Sequence, residues 1–228
     1  MPHVLNAKDK DLRGVRAGLR ASVSDGPIII EDAAHLHGLC GGLKAGDITI
    51  EGNSGDYLAV LNDGATIRVK GNAGRYLADN MTRGTVLVEG DCDYGVGAYC
   101  YGGTIVVGGN ASDFAAVMNK GATIIIGGDV GDEVATYMLA GDLVIVGNAG
   151  KNLGNYLIRG NIYIGGEWAS LGHNTLVEEL TPADIARLRG YLQEYDIEAD
   201  PAAFRKIVRL SEKPFYKSKP VKMASTPA

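Results

Sequence analysis

His35 and His37, one residue apart, are the side chains whose type and spacing best suit a metal ion, since positions i and i+2 of a strand face the same way. No third ligand can be named for them, so a surface pair is the expected reading. Cys92 and Cys100 are the closest of the three cysteines, but neither has an identifiable histidine or acidic partner to make it a nucleophile. Cys40, Cys92 and Cys100 form no CxxC pair, which leaves no disulfide framework, no zinc site and no fourth thiolate for an iron–sulfur cluster. They read as small buried hydrophobes. Gly95 and Gly97 are followed by Cys100 rather than by a third glycine, and neither GxxxxGK[ST] nor GxSxG occurs. Asn80-Met81-Thr82 and Asn110-Ala111-Ser112 match a glycosylation acceptor but lack a secretory context. On these residues the chain offers no catalytic group, no cofactor site and no metal site of its own.

The polar residues with the strictest spacing are of another kind. Glycine stands at Gly52, Gly71, Gly90, Gly109, Gly128, Gly147 and Gly166, nineteen residues apart throughout. Each is followed by a polar residue: Asn53, Asn72, Asp91, Asn110, Asp129, Asn148 and finally Glu167. Only Asp91 and Asp129 of the first six are anionic, so a row of cation ligands is disfavoured and a stack of turn-capping amides expected. Four and two residues before each glycine stand aliphatics, from Ile48 and Ile50 to Ile162 and Ile164. Seven after the first six stands something small: Ala59, Ala78, Gly97, Ala116, Ala135, Gly154.

A fixed period is the signature of a stacked-repeat fold. Each unit is a short β-branched strand with two inward aliphatics and an alternating, often polar or small, outward side chain. The glycine then allows a turn that a Cβ would hinder. One such strand cannot bury its face alone, whereas copies in register can. The period excludes leucine-rich and hexapeptide repeats, and GGxGxD is absent. The expected fold is all-β: a right-handed parallel β-helix of seven to eight coils, about 19 residues each. Residues 1–25 form a lead-in segment and 26–180 the β-helix. Its first coil, 26–46, is degenerate, with Ala33 in the glycine position. Residues 181–228 are a helical extension and tail. Thr181-Pro182-Ala183-Asp184 reads as a helix start, with Ile185, Leu188 and Leu192 on one face. Asp200-Pro201 reads as the start of a second short helix carrying Phe204, Ile207 and Val208. A helix laid across the open last coil would protect its edge.

Composition agrees with a water-soluble coil. The 228 residues are 46% hydrophobic and 21% charged, and the 33 glycines are about twice the ordinary share of roughly 7%. No apolar run reaches the ~20 residues of a membrane span, and the charged N-terminus does not resemble a signal peptide; a cytoplasmic protein is expected. The net charge of −5 divides into −11 over residues 21–180 and +3 at each end. An acidic body argues against nucleic acid, and the basic ends read as docking segments or solvated tails.

The alternation of 71–91 (GNAGRYLADNMTRGTVLVEGD) with 102–129 (GGTIVVGGNASDFAAVMNKGATIIIGGD) resembles the GXGXG domain of glutamate synthase large subunits. Asp11–Arg16 is similar to that family's lead-in, and Phe215–Pro220 to its terminal Phe-x-Lys-x-x-Pro. The resemblance implies a β-helix that performs no chemistry and joins a class II glutamine amidotransferase to an FMN and iron–sulfur synthase. No cysteine stands near Met1, so amidotransferase activity is not carried over; partner subunits would supply it, together with FMN and the iron–sulfur cluster. Residues 166–188 resemble the end of the β-helix subunit of N-methylglutamate synthase, in which methylamine is the amine. The β-helix subunit of formylmethanofuran dehydrogenase shares the coil motif and is a lower-ranked alternative, as is a stand-alone binding module. Under the first reading Arg13, Arg16, Phe215 and Lys217 are the expected partner-docking residues, with the segment after residue 180.

Overall fold

The sequence repeat becomes a stack of parallel strands paired in chain order. The computed structural model describes residues 2–23 and 25–213. The strands are β1 (His3–Asn6), β2 (Ile28–Glu31), β3 (Asp47–Glu51), β4 (Asp63–Val69), β5 (Arg83–Val88), β6 (Thr104–Val107), β7 (Lys120–Ile126), β8 (Ala140–Ile145), β9 (Asn161–Ile164), β10 (Thr175–Glu178) and β11 (Arg205–Arg209). Each of β1 to β9 pairs in parallel with the next, and β11 then β10 complete an eleven-stranded sheet. The register follows the period: Ile48 lies opposite Ile67, Val86 opposite Ile105, Ile124 opposite Leu143. The result is a parallel β-solenoid of about seven turns with roughly 19 residues per turn. In the first coil Ile30 pairs with Ile50 and Glu31 with Glu51, so the residue opposite Gly52 is Asp32 and not Ala33. Asp32 takes the left-handed conformation there, with φ +56°.

The aliphatics four and two residues before each glycine are buried in a column inside the coils. Full burial of each branched side chain contributes ~1.5–3 kcal/mol. A second interior column, two residues after the glycines, runs Ala73, Cys92, Ala111, Val130, Ala149, each bridged in parallel to the next. The third side of the coil is built differently. Tyr57, Ala59 and Leu61 all have φ near +58°, and the triplets 76, 78, 80 and 114, 116, 118 repeat the pattern. Alternate left-handed residues turn successive N–H groups opposite ways along the axis. Tyr57 N donates forward to Arg75 O at 2.7 Å, Ala59 N back to Leu39 O at 2.9 Å, and Leu61 N forward to Asp79 O at 2.8 Å. A non-glycine residue held there costs ~1–3 kcal/mol, which these paired bonds to both neighbouring coils offset.

Two helices close the structure, α1 (Leu12–Ser22) and α2 (Pro182–Glu194). Asp11 caps α1 by accepting from Gly14 N at 2.8 Å, and Val15 and Leu19 are buried against the first coil as an end plug. Thr181 and Asp184 form a reciprocal capping box at the start of α2, with Pro182 in the first turn. This helix does not lie across the last coil. It packs on the outer face of the sheet, where Leu188 and Leu192 meet Val106, Ile125, Val144 and Tyr163 in a second apolar cluster. The outward position is therefore apolar in these later coils; Thr49 and Arg68 occupy it in earlier ones. The segment after Asp200 also departs from expectation. Its capping signal yields only a single 3-10 turn, Pro201–Ala203, followed by β11. That strand pairs antiparallel with β9 and with β10 and so occupies the edge the last coil would leave open.

Candidate functional site

The glycine–Asx column forms a ladder along the solenoid. Asn53 Oδ1 accepts from Asn72 N at 2.8 Å, Asn72 Oδ1 from Asp91 N at 2.9 Å, and Asp91 Oδ1 from Asn110 N at 2.6 Å. Asn110, Asp129 and Asn148 continue it to Glu167 N at 2.9 Å. One side-chain oxygen of each residue, Oδ1, is thus engaged by the next coil. The glycines beside it are required for a reason the sequence reading did not give. Of the seven, only Gly52 has a positive φ, at +93°. At Gly109 a Cβ would overlap Asp91 Oδ1 and lie 2.9 Å from Gly90 O. Side-chain ladder and backbone stack so closely that no carbon fits between them.

A second ladder of aspartates lies three residues further on, where Asp56 accepts from Arg75 N and Asp132 from Lys151 N. His37 is its first rung, its Nδ1 accepting from Asp56 N at 3.0 Å. His35 Nε2 lies 3.1 Å from Lys10 O. The two histidines fall in the turns between β2 and β3 rather than on one strand face. Among the described residues no group of three or more His, Cys, Asp and Glu could hold a metal ion. Cys40, Cys92 and Cys100 are all buried, and burial pushes each thiol up to about 12. A thiol so raised is a poor nucleophile at neutral pH.

The expected docking residues are placed unequally. Arg13 projects from α1 into solvent beside the exposed Arg20, whereas Arg16 is half-buried and donates to Gly41 O at 3.1 Å. Phe215 and Lys217 lie outside the described residues. Under α2 a polar network joins helix to sheet. Tyr163 Oη donates to Asp184 Oδ1 at 2.7 Å, Tyr191 Oη donates to Asp142 Oδ2 at 2.8 Å, and Lys206 Nζ donates to Asp184 Oδ2 at 3.2 Å. Burial works to raise the Asp184 carboxyl, but hydrogen bonds from Thr181, Tyr163 and Lys206 outweigh it and hold the group below the usual carboxylate value. The Tyr163 hydroxyl is raised, by burial first and by Asp184 second. Both groups are spent on holding α2.

The surface the sequence reading missed is the left-handed side of the coil. Tyr57 and Tyr76 stack at 5.0 Å between ring centroids, Tyr76 meets Tyr94 edge-on at 5.5 Å, and Tyr94 meets Phe114 at 5.1 Å. Tyr137 and Tyr156 stack at 5.3 Å in a neighbouring column. The signal lies in the sequence: aromatics stand four or five residues after the first four glycines, and nine after the third, fifth and sixth.

Among the described residues no helix is long and apolar enough to cross a membrane. No curated protein matches the chain. A family model, described as the GXGXG motif, matches residues 47–209, from the first strand of the regular period to the last residue of β11. With the seven periodic glycines, the Asx ladder and strands β3 to β11 inside that span, the chain belongs to the GXGXG motif family.

Proposed function

We propose that the chain is a non-catalytic β-solenoid subunit of a glutamate-synthase-like assembly, holding a class II glutamine amidotransferase subunit beside an FMN and iron–sulfur synthase subunit. The observation that carries this reading is the GXGXG match over residues 47–209. The regularly spaced Asx side chains support it, because their oxygens are engaged between coils. The solenoid in this reading is a rigid spacer, and flavin and cluster reside in the partner. The amine handled is ammonia, as in glutamate synthase, or methylamine, as in N-methylglutamate synthase. The exposed Arg13, and Arg16 beside it, supply cationic contacts from α1, and Phe215 and Lys217 contacts from the tail.

The test is reconstitution. Tagged full-length chain is mixed with a class II amidotransferase-like chain and an FMN/iron–sulfur chain encoded beside it, and the eluted complex is assayed for glutamate and N-methylglutamate. Co-elution of all three with glutamine- or methylamine-dependent product supports the reading, and the product identifies the amine. Separate elution, with full activity of the other two chains alone, overturns it.

A further inference from the structure

The left-handed side of the solenoid carries a run of exposed large apolar side chains. Eight large hydrophobic side chains are exposed among the described residues; Tyr57, Leu61, Tyr99 and Tyr137 lie in the left-handed stretches, and Tyr101 stands two residues beyond one of them. The left-handed stretches are also nearly free of charge, although the body as a whole is strongly acidic; at their border Lys120 Nζ lies 3.9 Å from the Tyr101 ring centroid and 5.8 Å from that of Tyr99. The six stretches 57–61, 76–80, 95–99, 114–118, 133–137 and 152–156 contain only Asp79 and Glu133 as charged residues. Both are occupied locally. Asp79 Oδ1 accepts from Asn80 Nδ2 at 3.0 Å, and Glu133 accepts from Asn152 Nδ2 at 2.7 Å and Thr136 Oγ1 at 3.0 Å. Charge depletion with tyrosine enrichment is the composition of an interface core, not of an ordinary surface. Main-chain bonds to both neighbouring coils, two forward and one back in the coil of Tyr57, hold these side chains on a fixed frame, which lowers the ordering cost of association.

We propose that this face is the interface of a homodimer, a second copy of the chain being its occupant. The aromatic pattern is suited to itself. Rings stand four or five residues after the glycine in the coils of Gly52, Gly71, Gly90 and Gly109 (Tyr57, Tyr76, Tyr94, Phe114), and nine after it in those of Gly90, Gly128 and Gly147 (Tyr99, Tyr137, Tyr156). A two-fold axis along the solenoid, between the two columns, sets the first column of one copy over the second column of the other. Tyr94 then meets Tyr99 of the second copy, and Phe114 meets Met118 of the second copy, with each pair made twice, as an isologous contact requires. No like charges are opposed in these columns. The acidic remainder of the body disfavours any other self-contact, since like charges repel there.

The inference goes beyond the proposed assembly role and is tested without any partner chain. Sedimentation equilibrium of the full-length chain at micromolar concentration should give twice the chain mass. The double variant Tyr99→Asp, Tyr137→Asp should be monomeric at the same concentration. Aspartate tolerates the left-handed backbone at both positions, so unchanged circular dichroism and melting of the monomer confirm that folding is intact. Arg13→Glu on α1, and a chain ending at Lys213, should both remain dimeric. A monomeric wild type overturns the proposal, including one whose aromatic face instead captures a different protein. So does a double variant that stays dimeric, or a dimer lost with the tail alone. None of these results bears on co-elution in the reconstitution.

Discussion

Replacing Gly109 by alanine tests why the glycines recur. The residue's φ is not in the left-handed region, so a conformational argument predicts a mild effect. The stacking geometry predicts a severe one. The new Cβ would overlap Asp91 Oδ1 and sit 2.9 Å from Gly90 O and 3.0 Å from Gly90 C, positions fixed by the coil below. Relief requires the coils to separate locally, which strains the 2.6 Å bond from Asn110 N to Asp91 Oδ1 and the 3.0 Å bond from Gly109 N to Gly90 O. A hydrogen bond to a charged acceptor contributes ~1.5–3 kcal/mol, and overpacking costs a further ~1–3 kcal/mol. A loss of about 3–5 kcal/mol follows, or roughly 10 °C in melting temperature for a chain of this size. Gly52→Ala is the internal control: nothing lies within 4 Å of its Cβ, but φ is +93°. Its expected cost is about 1–2 kcal/mol from backbone strain alone. Urea unfolding followed by circular dichroism measures both. Adding Asp91→Ala to Gly109→Ala removes the side-chain overlap and should recover about 1.5 kcal/mol relative to additivity. If Gly109→Ala costs no more than Gly52→Ala, or if the double variant is simply additive, the close-stacking account is wrong.

Three further outcomes are expected. The Asp184 carboxyl is held below its ordinary value, so its contribution to stability is complete above about pH 4 and declines as pH falls through the lower folded value. Asp184→Asn should flatten that acid limb in a thermal melt recorded from pH 7 downward, and an unchanged limb would remove Asp184 from the account. The three cysteines, with thiols raised to about 12 by burial, should resist iodoacetamide at about pH 8 in the native protein and react fully in guanidinium; mass spectrometry counts the adducts. The buried Asn119 accepts from Ala122 N and donates to Ala122 O, both at 2.9 Å, so Asn119→Leu should cost about 1–3 kcal/mol by leaving two interior main-chain groups short of partners. A stability within error of wild type would show that water or backbone replaces the amide.

The coil was legible because its constraint is local and repeated: one glycine, one Asx and two aliphatics in each period, all facing the same neighbours. What lies outside the period was not. Residues 12–22 carry a helix whose start signal, Asp11, stands before an Arg-rich stretch with only Val15 and Leu19 to mark an inward face. Arg205–Arg209 departs from the helix expected after the Asp200-Pro201 cap, a signal that is real but lasts a single turn. Beyond it the open edge of β9 supplies unpaired main-chain groups, and satisfying them outweighs the local preference. The seat of α2 was written in the outward positions Val106, Ile125, Val144 and Tyr163, which a coil-by-coil comparison with Thr49 and Arg68 would have separated. The aromatic face escaped because the left-handed backbone that displays it uses tyrosine, leucine and alanine, residues that do not advertise positive φ.

The clasp of α2 on the sheet gives the protein a measure of its own length. Thirteen helical residues rise ~20 Å, enough to lie across the four strands β6 to β9, which span three spacings of ~4.8 Å. Tyr191 grips Asp142 while Asp184 grips Tyr163, one strand further along. A duplicated nineteen-residue block inserted between those strands would put the two grips out of step. The same block inserted among the first coils, beyond the helix's reach, would only lengthen the rod. The helix is a ruler, and it fixes how many rungs the distal half is allowed.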